Sequence, residues 1–257
     1  MTQKEEFYKN CMVLDTETNS DDYKIAEIIE SGFVLKGEKD WEIYQELHKP
    51  IDRKIPPKVE SICYITNAMV EDKPSFIDSR EVFQEVVNGF MAEGYFIAHN
   101  HFYDMRVLQN HGIDLGECNW ICTWRMAKKL FNGIPDIEET NLPYLRFALE
   151  LDVPIEMRCH RAGNDSYMTA KLLETFVDFM EARGMIDTSL PYGPQIMEFA
   201  AAPIIYEAMP FGKHKGVKMK DVPKNYWTWA LNNTDWFNDQ ADNYDPDLAA
   251  SIGAILD

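Results

Sequence analysis

Two carboxylates one residue apart open the chemistry of this chain. In Val13-Leu14-Asp15-Thr16-Glu17-Thr18-Asn19, a short apolar run leads into Asp15 and Glu17. Side chains alternate faces along a strand, so these two share one. Anions held side by side repel, and a hard divalent cation is their natural counter-charge. Alone, the pair is equally compatible with a polar strand end, because Asp, Thr and Asn favour strand-to-turn junctions.

Two further groups add ligands and a base. Ala98-His99-Asn100-His101-Phe102-Tyr103-Asp104 runs from a strand into a helix. Asp104 stands at that junction, where α/β sheets collect ligands. It could equally cap the helix, with His99 filling the edge of the core. Cys159-His160-Arg161-Ala162-Gly163-Asn164-Asp165 is the third group. On an unbroken helix, His160 and Asp165 would lie about 140° apart. They share a face only if His160 lies in or before the first turn and reaches back, and Gly163 and Asn164 make such a break easy. Asp165 leads an inward stripe of Met168, Leu172 and Phe176. A carboxylate there is costly to bury unless paired or metal-bound. Alone, His160 is an ordinary loop histidine. No single residue is specific, but Asp15, Glu17, Asp104, Asp165 and His160 as a set are.

The elements that must position them follow from hydrophobic periodicity. Cys11–Leu14, Glu27–Leu35 and Trp41–His48 are expected strands in a meander, followed by a proline-rich loop from Lys49 to Pro57. Ser79–Met91 is an expected amphipathic helix with Ser79 as N-cap. Tyr95–Ala98 and Trp120–Cys122 are short strands, and Asp104–His111 is a helix stopped at Gly112. Helices are expected over Thr123–Phe131, Pro143–Leu151 and Asn164–Arg183. The pattern predicts an α/β domain over residues 1–186, with helices packed on a mixed β-sheet. A linker over 187–202, marked by Leu190-Pro-Tyr-Gly-Pro194, and a small module over 203–257 follow.

The chain has 257 residues and a net charge of -18, from 43 acidic and 25 basic residues. That charge argues against a protein that coats DNA, but not against an enzyme gripping a few nucleotides at one end. No apolar run approaches membrane-spanning length, and the start lacks a signal pattern, so a cytoplasmic protein is expected. Cys11, Cys63, Cys118, Cys122 and Cys159 are scattered without zinc-like spacing, and reduced, buried thiols are expected.

The three groups resemble the motifs of the DEDD, or DnaQ-like, exonuclease superfamily, at Val13–Thr18, His99–Asp104 and His160–Asp165. The His-x4-Asp spacing marks the histidine-bearing DEDDh subgroup. Ile29–Val34 resembles the second strand of that fold, and the likeness covers nearly the whole chain, including a small C-terminal domain found after such exonucleases. The resemblance implies an RNase H-like fold and 3′–5′ release of 5′-mononucleotides. It further implies two divalent ions, Mg2+ or Mn2+, held by Asp15, Glu17, Asp104 and Asp165, with His160 as general base. Thr16 and Thr18 would hold the terminal sugar, and His99 and Asn100 would also contact substrate. Within the family the likeness is to exodeoxyribonucleases, which implies DNA 3′ ends, single-stranded or frayed. An RNA exonuclease with the same site, and a non-catalytic polymerase accessory, are the alternatives. Asn19, Tyr64, Gly163 and Asn164 depart from the usual family pattern without removing a ligand.

In the C-terminal module, Lys213, Lys215, Lys218, Lys220 and Lys224 form the dense basic run of the chain. Lys213 and Lys215 are candidate nucleic-acid contacts. Tyr226, Trp227, Trp229, Trp236 and Phe237 are expected mostly as the module's own core. Asp235, Asp239, Asp242, Asp245 and Asp247 then accumulate in what should be a solvated tail. Gln195-Ile-Met-Glu-Phe199 loosely resembles a sliding-clamp peptide, and the first turn of a helix is the simpler expectation.

Overall fold

The computed structural model describes residues 1–132, 134, 137–238 and 245–256. It divides into two compact units, Met1–Ala201 and Ala202–Asp257.

In the first unit, helix α1 (Gln3–Lys9) leads into strands β1 (Cys11–Thr18), β2 (Ile28–Lys36) and β3 (Trp41–Leu47). Short helices α2 (Pro57–Cys63) and α3 (Asn67–Val70) precede α4 (Phe76–Phe90), β4 (Tyr95–Ala98), α5 (His101–Asn110) and β5 (Asn119–Cys122). The unit ends with α6 (Thr123–Leu130), α7 (Leu142–Ala148), α8 (Ala162–Ala182) and α9 (Tyr192–Ala201). The sheet order is β3-β2-β1-β4-β5. The first three strands form the expected antiparallel meander, and β4 and β5 lie parallel to β1.

Alternation sorts the strand residues onto two faces. Met12, Leu14, Phe96 and Ala98 pack under Phe83, Val87, Val107 and Leu108 of α4 and α5. On the other face Val13, Val34, Ile97 and Ile121 meet Leu172, Phe176, Met126 and Ile196. The register pairs Asp15 with Gly32 and Glu17 with Glu30, so all four lie on the α8 face. Gly32 is required there: a Cβ would run into the backbone of Ala162 and Gly163. Gly163 has no room either, because its Cβ would press on Ile43 and Gln45 of β3. The small residue at Gly163 is therefore the counterpart of a close helix–sheet approach.

Several boundaries differ from expectation for local reasons. Helix α4 begins after Ser75, not Ser79, because Ser75 and Asp78 form a reciprocal capping box. Helix α5 begins at His101, so Asp104 is no cap. Helix α8 begins at Ala162, so the chain breaks before Gly163 rather than at it. Residues 187–202 are not a linker. They contain α9, whose Tyr192, Ile196 and Ala200 are buried in the main core. The clamp-like peptide lies inside this helix. Gln195 donates to the Asp187 and Pro191 carbonyls at 3.1 and 3.0 Å, and Ile196 is 0% exposed. A stretch so engaged is not available as an extended docking peptide. All five cysteines are free, but Cys118 and Cys159 are only half-buried.

The second unit has two 3-10 turns, Gly212–His214 and Met219–Asp221, then α10 (Lys224–Asn233) and α11 (Pro246–Leu256). Met209, Met219, Val222 and Leu248 form its core, packed by Tyr226, Trp227, Trp236 and Phe237. The end of the chain is not simply a solvated acidic tail. Asp247 is 5% exposed and accepts the Ile204 N–H at 2.8 Å, and Asp245 accepts the Leu248 N–H at 2.9 Å. Asp239 and Asp242 lie outside the described residues. Among the described residues, no helix is long and apolar enough to cross a membrane.

Candidate active site

Strand β1 outlasts β4: their pairing stops at Val13 and Ile97. The Thr16 N–H beyond that point has no strand partner there, and Asp104 takes it. Asp104 Oδ1 accepts from Thr16 N at 2.9 Å and from Thr16 Oγ1 at 2.8 Å. A carboxylate from α5 is thus fixed beside Asp15 and Glu17. A register irregularity between Glu17 and Thr18 ends the regular pairing at the site.

Asp165 enters from the first turn of α8. His160 precedes that helix with φ +61°, and its N–H donates to Asp165 Oδ2 at 3.0 Å. The chain turns back there, and His160 and Asp165 come to one side. Ligand atoms of Glu17, His160 and Asp165 all lie within 4.8 Å of one another.

Burial and mutual repulsion hold these carboxyls far from their ordinary titration range. Burial, then Asp104, Asp165, Glu17 and Glu30, push Asp15 well above the usual value. Burial and then Asp165, Glu30 and Asp104 push Glu17 up to about 8, against the lowering effect of Arg161. Asp104 rises to about 7 through burial, against the Thr16 donors. Asp165 also rises to about 7 through burial, partly offset by the His160 N–H. His160 is the exposed member, and its partial burial lowers its pKa, which favours the neutral imidazole.

The donor set fits a hard divalent cation. Four carboxylates converge, and Asp165 Oδ1 is buried with no hydrogen-bond partner among the described residues. A cation at this place would supply both the missing charge and the missing partner.

Two residues that the motifs do not single out hold the site together. Glu30 is fully buried. It receives Arg161 Nε on both oxygens at 3.1 and 3.0 Å, Arg161 Nη2 at 2.5 Å and the Ala162 N–H at 2.8 Å. Strand β2 thereby grips the residue next to His160 and the first residue of α8. The signal is present in the sequence: a glutamate that directly follows Ile28 and Ile29 in a strand needs a partner once buried.

The other expected site residues are placed as follows. Thr18 Oγ1 lies 2.6 Å from the Tyr103 hydroxyl and 2.7 Å from the Ser20 carbonyl, which ties the end of β1 to α5. His99 has both ring nitrogens engaged: Nε2 donates to the Thr140 carbonyl at 2.9 Å, and Nδ1 lies 3.0 Å from Thr123 Oγ1. Burial lowers its pKa to about 4, so it is a neutral strut between β4 and α6. Asn100 is exposed at φ +75°, and its side chain makes no cap bond. Lys213 and Lys215 are exposed in the second unit.

Residues 12–173 match the family described as Exonuclease, and residues 200–239 match the family described as putative quorum-sensing-regulated virulence factor. The chain is 32% identical to Exodeoxyribonuclease 10 of Escherichia coli (strain K12) over 227 residues, covering 87% of this chain and 91% of that one. The structure of Exonuclease X in complex with 5′ overhanging duplex DNA is similar with a TM-score of 0.54 and 28% identity, covering 74% of this chain and 99% of that one. The nuclease domain of 3′hExo, a DEDDh family member bound to rAMP, shares the fold at a TM-score of 0.53 and 17% identity, covering 67% of this chain and 94% of that one. With RNase H-like architecture, extended family match and full-length relative in agreement, the chain belongs to the DEDDh exonucleases, which act at nucleic-acid 3′ ends and depend on divalent metal.

Proposed function

We propose that the chain is a 3′–5′ exodeoxyribonuclease that releases 5′-mononucleotides by two-metal hydrolysis. The observation that supports it most is the convergence of Asp15, Glu17, Asp104 and Asp165 beside the solvent-facing His160. DNA is chosen because Exodeoxyribonuclease 10 is similar over 91% of its length.

In this reading Asp15, Glu17, Asp104 and Asp165 would together hold the ions. When bound, the pair of Mg2+ or Mn2+ ions supplies Lewis-acid charge to the water and the phosphate. His160 accepts a proton from the water on its imidazole as the water oxygen bonds to phosphorus, and the bond from phosphorus to the preceding nucleotide's O3′ breaks, that oxygen taking a proton from solvent to become the new 3′ hydroxyl. Its lowered pKa keeps it deprotonated for that step at neutral pH. Glu30 and Arg161 keep His160 oriented through the α8 N-terminus. In this reading Thr16 and Thr18, whose hydroxyls engage Asp104 and Tyr103, hold the terminal sugar. Asn100 is a proposed substrate contact, and Lys213 and Lys215, in the second unit, are proposed nucleic-acid contacts.

The test is nucleotide release from a 3′-labelled single-stranded DNA with magnesium, with EDTA, and with Asp165→Asn. Metal-dependent release lost in the variant supports the reading. Faster release from RNA of the same sequence would replace DNA as substrate, and no release from either would overturn the reading.

A further inference from the structure

The second unit contains an open hollow of about 640 Å3. Lys213, His214, Asn225, Tyr226, Trp229 and Trp236 line it. Tyr226 and Trp229 are three residues apart on α10 and therefore on one side of the helix. Their rings lie 5.5 Å apart, tilted by 30°. Trp236 stands 6.4 Å from Trp229 at 76°, and His214 stands 4.6 Å from Tyr226 at 78°. Gly212, at φ +72°, lets the preceding turn close against Tyr226, where a Cβ would sit 3.3 Å from the hydroxyl.

Most aromatic residues of this unit bury themselves against Met209, Met219, Val222 and Leu248. Trp229 does not, and is 49% exposed. Around it, residues 213–224 carry five lysines and one acid, Asp221, in a chain of net charge -18. Among the described residues none of these lysines is in an ion pair. Ring faces beside unpaired ammonium groups select the guest. A cation in the aromatic hollow would meet the lysines' repulsion, and an apolar peptide would leave the lysines unused. A single nucleic-acid strand uses both, with bases on rings and phosphates on lysines. The hollow also falls in the usual ligand-pocket range of about 300–1,000 Å3.

We propose that this hollow is a second, non-catalytic binding site for single-stranded DNA, with a base stacked on Trp229 and Tyr226 and the backbone held by Lys213 and Lys215. The choice of DNA rests on the exonuclease reading, but the binding is measurable without hydrolysis.

The experiment uses the full chain in EDTA, with fluorescein-labelled oligo(dT) of twelve nucleotides read by anisotropy. Trp229→Ala weakens binding about five- to a hundred-fold, and Trp229→Phe restores most of it. The double variant Lys213→Ala, Lys215→Ala flattens the dependence of log K on log salt by about 1.4. Unchanged circular dichroism shows that the variants fold. Wild-type affinity in Trp229→Ala would overturn the proposal, as would tighter binding of duplex DNA or of oligo(rU). Hydrolysis of a labelled trinucleotide with magnesium separates the two readings. A wild type that binds oligo(dT) through Trp229 yet hydrolyses nothing would remove the exonuclease reading and keep this site.

Discussion

Asp104 holds Thr16 twice, accepting its main-chain N–H at 2.9 Å and its hydroxyl at 2.8 Å on the same oxygen. This contact spans 88 residues of chain and joins the helix-borne carboxylate to the strand that carries Asp15 and Glu17. Thr16→Val keeps the shape and the N–H but removes one donor from a buried carboxylate. It is expected to cost about 1–3 kcal/mol, read by urea denaturation, and to lower kcat. Unchanged stability and activity would show that the hydroxyl does not fix Asp104.

The Glu30–Arg161 pair is expected to act on turnover rather than on substrate capture. Arg161→Met leaves Glu30 buried without its cation, and breaking such a pair costs about 3–5 kcal/mol when fully buried. Arg161 is partly exposed, so the lower end is expected. Arg161→Lys loses the bidentate fork and restores little. The diagnostic is a fall in kcat with KM nearly unchanged; a rise in KM alone would place the pair in substrate binding instead.

His160 separates catalysis from stability because it is exposed. His160→Gln is expected to lower kcat by about 10²–10⁴ with an unchanged Tm. In the wild type, activity rises with pH through the histidine's lowered pKa, since the base must be unprotonated. The variant loses this acidic limb. A variant that retains it would assign the limb to another group.

The carboxylate cluster predicts an inverse dependence of metal-free stability on pH. Glu17, Asp104 and Asp165 have folded pKa values of about 8, 7 and 7, above their ordinary values of 4.5, 3.8 and 3.8. The folded state therefore binds more protons between pH 4 and 8, and the contribution to stability present below about pH 4 is lost as pH rises through 7–8. In EDTA, the Tm at pH 8.5 should lie below that at pH 6. Millimolar magnesium should raise it by about 5 °C or more at pH 8.5 and by less at pH 6. Equal gains at both pH values would show that metal binding is not linked to these groups.

Gly32 tests the close approach of β2 and α8. Gly32→Ala forces a methyl into the Ala162–Gly163 backbone and is expected to destabilise by about 1–3 kcal/mol. Because the displaced backbone carries His160 and Asp165, activity should fall further than stability accounts for. Full activity in a destabilised variant would show that the α8 N-terminus tolerates the shift.

The sequence by itself determined the candidate site residues and most of the architecture. Asp15 and Glu17 share a face because strand alternation is local, and the three β-meander strands and the long α8 follow from short-range periodicity. Capping is also local: Ser75 rather than Ser79 starts α4 because Asp78 completes its capping box, whereas Val82 stands three residues after Ser79. Leu190-Pro-Tyr-Gly-Pro194 reads as a linker for its prolines and glycine, yet Tyr192–Ala201 is a helix because Ile196 and Ala200 join the main core against β5 and α6, elements far away in sequence. Tertiary structure alone decided that Glu30 meets Arg161, that Asp104 meets Thr16, and that His99 is locked between Thr123 and Thr140. These are contacts between elements distant in the chain, and no spacing rule encodes them. The residue types fixed which charges needed partners, and only the packed sheet decided which partners lay within reach.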